Sequence, residues 1–187
     1  MKSFYLLIIF LCSCHSNKIF LSNAYNEPLR WKKEVKFYFH KDFPSKKRTI
    51  AREEISTLNR TIGIDLVSIS NEEVKEIDTT KNVLYWNTNN QYKDLNPSEQ
   101  ARTSLHWRGD EILEANIYFS PNFEEYDFRS LFRHELSHAL GFKHVEDQSS
   151  LMSPVLMIGE EKTYSLEQIQ TIIKIYGDSH KTAKIED

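Results

Sequence analysis

The chain has 187 residues, 40% apolar and 27% charged, with 9 Tyr, 11 Phe and 3 Trp. That content builds one domain with a sizeable core and excludes a disordered chain. The net charge of −3, with Lys and Arg scattered among acids and no basic stripe, gives no basis for nucleic-acid binding.

The first 13 residues read as an export signal rather than as part of the fold. Met1-Lys2 is a short positive region, and residues 4–11 are an apolar run too short to span a bilayer. The run ends in Leu11-Cys12-Ser13-Cys14, which resembles the lipobox of bacterial lipoproteins. The resemblance implies that Cys14 becomes the lipidated first residue of the mature chain. The protein is then exported and anchored to a bacterial membrane, on the periplasmic face or at the cell surface. An ordinary secretory signal cut nearby is the alternative. Beyond Cys14 there is no cysteine, which removes any disulfide framework, cysteine-based zinc site or thiol nucleophile from the mature domain. Residues 14–29, polar with Ser, Asn and Pro28, are expected to be a tether. The folded domain is expected over 30–178 and a polar tail over 179–187.

Residues 34–43 alternate Val35, Phe37 and Phe39 on one side of a strand, which Pro44-Ser45 stops. A helix from Ser45 carries Ile50, Ile55, Leu58 and Ile62 on one stripe and ends at Gly63. Residues 65–70 and 82–87 are short β-rich runs, and 87–98 is polar loop. Residues 101–107 and 112–120 read as two strands joined around Arg108-Gly109-Asp110, a hairpin. An acidic loop over 121–127 precedes a helix over 129–140. The last helix has Ser165 as N-cap, Gln168 completing a capping box, a stripe of Leu166, Ile169, Ile172, Ile173 and Tyr176, and Gly177 as its stop. Strands early and helices late predict an α+β domain, a mixed sheet backed by helices.

The chemistry concentrates in residues 133–144, RHELSHALGFKH, which hold three of the seven histidines. On a helix, His134 and His138 share a face and can bind one ion, while Glu135 lies about 100° round, beside that face. Leu136 points elsewhere and can pack inward. A helical continuation would carry the chain past the ion. Gly141 reaches left-handed φ cheaply, so the helix can end there and the chain can double back to bring in His144. Three neutral imidazoles suit one Zn²⁺ and leave a fourth position open, the mark of a catalytic rather than a structural zinc. Zinc lowers the pKa of bound water to about 7. Glu135 is placed to take that proton as general base and return it to the leaving amine.

HELSHALGFKH resembles the zinc signature of the metzincin peptidases, and Met152 in SLMSPVL matches the methionine of that clan's turn beneath the zinc. Similarity is closest to the matrixin branch: TYSLEQIQTIIKIYG resembles its final helix, EANIYFS its last strand before the zinc helix, and LRWKKEVKFYF its opening strand. The resemblance implies a mixed, mostly parallel five-stranded sheet with an antiparallel edge strand and three main helices. It implies protein or peptide substrates paired with the edge strand, matched here to Thr103, Ser104 and Leu105 in TSLHW. It also implies a side-chain pocket walled by Pro154 and Leu156, and Thr103, Ser104 and Leu105 are expected to line the substrate pocket with them. The departures are specific. His106 has no histidine partners for a second zinc, and Ca²⁺ at Glu124, Glu125 and Asp127 is possible but not indicated. No cysteine is available to plug the zinc. Pro154 stands where some metzincins carry a tyrosine ligand, and Glu167-Gln168 stand near the paired aspartates of vertebrate members.

Trp31, Trp86 and Trp107 are expected on core or strand faces, with Trp107 a substrate contact if it lies on the edge strand. His15, His40 and His180 are expected at the surface, and Arg133 and Lys143 facing solvent. A monomer is expected. Three readings stand at this point: a zinc endopeptidase, a surface-binding lipoprotein that keeps zinc without catalysis, and an enzyme cutting another amide such as a cell-wall peptide.

Overall fold

The computed structural model describes residues 19–76, 78, 80–87, 99–121, 128–156 and 159–182, the side chains of 178–182 excepted. The signal and Cys14, His15, most of the 87–98 loop, the acidic loop with its calcium candidates and the end of the tail lie outside the described residues, as does the side chain of His180.

Eight elements follow in order: β1 (Val35–His40), α1 (Ser45–Ile62), β2 (Val67–Val74), β3 (Asn82–Trp86), β4 (Ala101–Arg108), β5 (Glu111–Phe119), α2 (Phe128–Ala139) and α3 (Leu166–Thr182). They form a five-stranded sheet of order β2-β1-β3-β5-β4. β1 pairs in parallel with β2 and β3, and β3 with β5, while β4 runs antiparallel to β5 at the edge. This is the mixed sheet with an antiparallel edge pair expected of the family. Alternation sorts the two faces: Phe37, Phe39, Ile117 and Phe119 face the helices and join the main core. Tyr38, Tyr85 and Tyr118 gather on the other face with Val74 and Val83.

α1 buries Ala51, Glu54, Ile55, Leu58 and Ile62 and ends at Gly63, φ +74°. The capping box on α3 is formed: Ser165 N–H donates to Gln168 Oε1 at 2.8 Å, and Gln168 N–H donates to Ser165 Oγ at 3.2 Å. α3 does not stop at Gly177 but runs on to Thr182. Gly177 keeps a negative φ, and no proline follows to break the ladder.

The tether expected over 14–29 is corrected from residue 19 onward. Residues 19–29 are part of the fold. Phe20 is only 6% exposed and packs on Phe142, ring centroids 4.4 Å apart. Leu21 N–H donates to Gly141 O (2.7 Å), Lys143 N–H to Ile19 O (2.9 Å) and Leu29 N–H to Leu21 O (2.9 Å). Three adjacent apolar side chains, Ile19, Phe20 and Leu21, outweigh the polar composition around them. Two further surface expectations fail. His40 is 3% exposed at the end of β1, and Arg133 is 9% exposed on α2.

Candidate metal centre

α2 ends in a tightly supported turn. Gly141 N–H donates to His138 O (2.9 Å) and Phe142 N–H to Ser137 O (3.0 Å). Two further carbonyls, left without intrahelical partners, are met by buried aromatic donors: Trp31 Nε1–H on Ala139 O and Tyr176 O–H on Leu140 O, both 2.8 Å. Gly141 is required twice over. Its φ of +96° is left-handed, and a Cβ there would stand 2.7 Å from Leu29 O and 2.9 Å from the Phe20 ring.

This turn returns the chain to the helix face. The Nε2 atoms of His134, His138 and His144 stand 3.1 Å (134 to 138), 3.2 Å (134 to 144) and 3.0 Å (138 to 144) apart. Two of the rings are held from behind. His134 Nδ1 lies 2.7 Å from Leu151 O, and His138 Nδ1 lies 2.8 Å from Phe142 O. A carbonyl only accepts, so each Nδ1 carries the proton and each facing Nε2 presents a lone pair. Lone pairs converging at this distance repel unless a cation shares them. Tetrahedral zinc with nitrogens at about 2.0–2.1 Å sets its ligands about 3.3–3.4 Å apart, which these side chains meet with small shifts. The residues fit zinc, and the Nδ1 bonds are the orienting contacts that ligating imidazoles need. Among the described residues, this is the one group of histidines, cysteines and carboxylates with metal-binding geometry. Burial favours the neutral, ligating imidazoles: it lowers His134 to about 4, His138 to about 3, and His144 below its ordinary value.

A model of the matrixin family matches residues 25–177. The chain belongs to the matrixin family. Among curated proteins, the comparison finds no match. Membership and the three-histidine group together suggest that this matrixin is a zinc metalloprotease.

Within the matrixin, Glu135 is 4% exposed, and burial pushes its carboxyl up to about 7. Thr103 Oγ1 lies 2.6 Å from Glu135 Oε2, a bond that pulls the other way, while the nearby Glu99 carboxylate adds to the rise. Met152 is fully buried in the turn whose preceding carbonyl, Leu151 O, holds His134. Met152 O accepts from Val145 N–H at 3.0 Å, tying that turn to the residue after His144.

A cleft of about 580 Å³ opens over the three histidines and Glu135. Thr103, Leu105, Pro154 and Leu156 line it, as do Leu21, Leu131 and Val155. Ser104, expected in the same pocket, is not among its lining residues. It is exposed, because strand alternation turns it to the opposite side of β4 from Thr103 and Leu105. Trp107 is on the edge strand, half exposed, paired with Ile112 and outside the lining of the cleft.

Arg133 enters the α1 side of the site. Its Nε donates to Glu54 Oε2 (2.6 Å), one terminal nitrogen to Glu54 Oε1 (3.2 Å) and the other to Glu161 (3.0 Å) and Lys162 O (2.8 Å). Arg129 adds a 2.6 Å bond to Glu54. The Arg133–Glu54 pair, the Thr103 hydroxyl and the clip of residues 19–22 on the turn are the parts of the site that motif reading missed. The one signal the sequence offers is the i, i+4 spacing that sets Glu54 between Ile50 and Leu58 on the apolar stripe of α1.

Proposed function

We propose that this matrixin is a zinc-dependent endopeptidase of peptide bonds. The observation that carries the reading is the convergence of three Nε2 atoms within 3.0–3.2 Å in a cleft that Glu135 also lines. His134, His138 and His144 hold the ion as neutral imidazoles. When bound, zinc supplies Lewis acidity toward the scissile carbonyl and the attacking water. Glu135 takes the proton of that water at its carboxylate and delivers it to the leaving amine nitrogen. The outer edge of β4 pairs with extended substrate by strand addition, and Pro154, Leu156 and Leu105 contact a substrate side chain beside the site.

The test is cleavage of a mixed fluorogenic peptide library with and without a chelator, alongside Glu135→Ala. Chelator-sensitive cleavage that Glu135→Ala abolishes, with one zinc per chain retained, supports the reading. Absence of any such cleavage favours a non-catalytic zinc-holding surface protein, and cleavage confined to cell-wall fragments makes the substrate another amide.

We further infer that Cys14 carries a lipid that holds the protein on a bacterial membrane, on the resemblance of residues 11–14 to a lipobox. Cys14→Ser is expected to move the protein from the membrane pellet to the soluble fraction. Continued sedimentation with membranes removes the inference.

A further inference from the structure

We infer that Thr103 is the positioning residue for the Glu135 carboxylate, holding one of its oxygens from the edge strand so that the other faces the cleft. The inference rests on the endopeptidase reading of this site and adds a second residue to it.

Thr103 is the third residue of β4, opposite Ile117 on β5, and its hydroxyl reaches across to α2. Oγ1 lies 2.6 Å from Glu135 Oε2 and 3.0 Å from the main-chain oxygen of the same residue. A hydroxyl has one proton and cannot donate to both. With the carboxylate ionised, the hydroxyl donates to Oε2, and 2.6 Å is the length of a charge-assisted O–H···O⁻ bond. Among the described residues no other hydrogen bond falls on that carboxylate, so Thr103 alone fixes where its oxygens stand. The oxygen facing the cleft is the one left open to a proton, so the bond to Oε2 does not depend on it. Strand formation and packing ask only for a β-branched side chain, which valine supplies equally well. The hydroxyl is explained by Glu135.

Thr103→Val removes the hydroxyl at constant shape, and Thr103→Ser restores it. In the full chain, loaded to one zinc as checked by elemental analysis, Thr103→Val is expected to lower kcat roughly 10- to 100-fold, the worth of one hydrogen bond to a charged group. KM stays within about twofold, since ground-state substrate binding is untouched. Thr103→Ser is expected to recover kcat to within a small factor of the parent. A readout independent of turnover is the carboxyl ¹³C resonance of Glu135, assigned by its loss in Glu135→Gln. It should shift in Thr103→Val and return in Thr103→Ser. Parent-like kcat in Thr103→Val while Glu135→Gln is inactive overturns the positioning role alone, as does an unshifted resonance. A parent protein without chelator-sensitive cleavage overturns the endopeptidase reading, and the positioning role with it.

Discussion

Arg133 and Glu135 flank the same zinc-ligand candidate, both buried in α2, and the protein treats them in opposite ways. Arg133 is saturated. Its guanidinium meets both oxygens of Glu54, the Glu161 carboxylate and a carbonyl, and although burial works against its charge, these partners raise its pKa overall. Glu135 is starved. Among the described residues its carboxylate receives one hydroxyl, and the nearby charge that acts on it, Glu99, has the same sign. The contrast separates a charge used to hold elements together from one used on a substrate. The first is surrounded by counter-charge until it is inert. The second receives no counter-charge from a protein side chain among the described residues, which leaves its carboxylate free to act on a substrate.

The strongest way to break this contrast is at Glu135. Glu135→Gln keeps size and burial but removes the base, so cleavage should fall by about 10²- to 10⁴-fold while zinc content and melting temperature stay near the parent values. A large fall in melting temperature instead would place Glu135 in the same structural class as Arg133. The next test is on the saturated side. Glu54→Ala leaves Arg133 buried without its principal partner and should cost about 3–5 kcal/mol, a drop of roughly 6–20 °C in a thermal melt. Adding Arg133→Met removes the orphaned charge and should return most of the loss. Failure of the double variant to recover would mean that Glu54 acts through something other than this pair.

The smallest effect calibrates burial alone. His40 is buried outside the cleft, and burial lowers its pKa below 6.5, with the nearby Lys41 and Arg48 charges assisting and Asp42 opposing. Its folded pKa therefore lies under its unfolded one. Above about pH 6.5 both states are neutral and His40 contributes no pH dependence. As pH falls below that, the unfolded chain takes the proton first, and stability declines by at most about 1.4 kcal/mol per pH unit until the lowered folded pKa is passed. His40→Phe should flatten that part of the pH–stability curve, measured by urea denaturation between pH 7 and 5. An unchanged slope would show that the side chain is charged in the fold.

The three converging histidines and the turn at Gly141 were legible because spacing on a helix and the φ freedom of glycine are local properties. The other strands, α1 and the α3 capping box were legible for the same reason, whereas β2 continues past the expected 65–70 through polar residues to Val74. What escaped depends on contacts far apart in the chain. Arg133 reads as a surface charge until Glu54, 79 residues away, is packed against it. Thr103 reads as a substrate contact, not as a partner of Glu135, until β4 is laid beside α2, 32 residues on. Ser104 was misplaced because the resemblance matched a stretch of edge strand, whereas only alternate side chains of a strand share a face. Residues 19–29 were misjudged from composition, which averages away the short apolar run that docks.

The docking of that run has a mechanical consequence. Ile19 and Leu21 are hydrogen-bonded to Lys143 and Gly141, on the stretch between the second and third histidines. Tension drawn on the front of the chain therefore reaches the loop carrying His144 before it reaches the sheet. The leading segment and the reactive centre share one load path, and shortening the protein from its front past Ile19 removes a strut from that centre rather than trimming a leash.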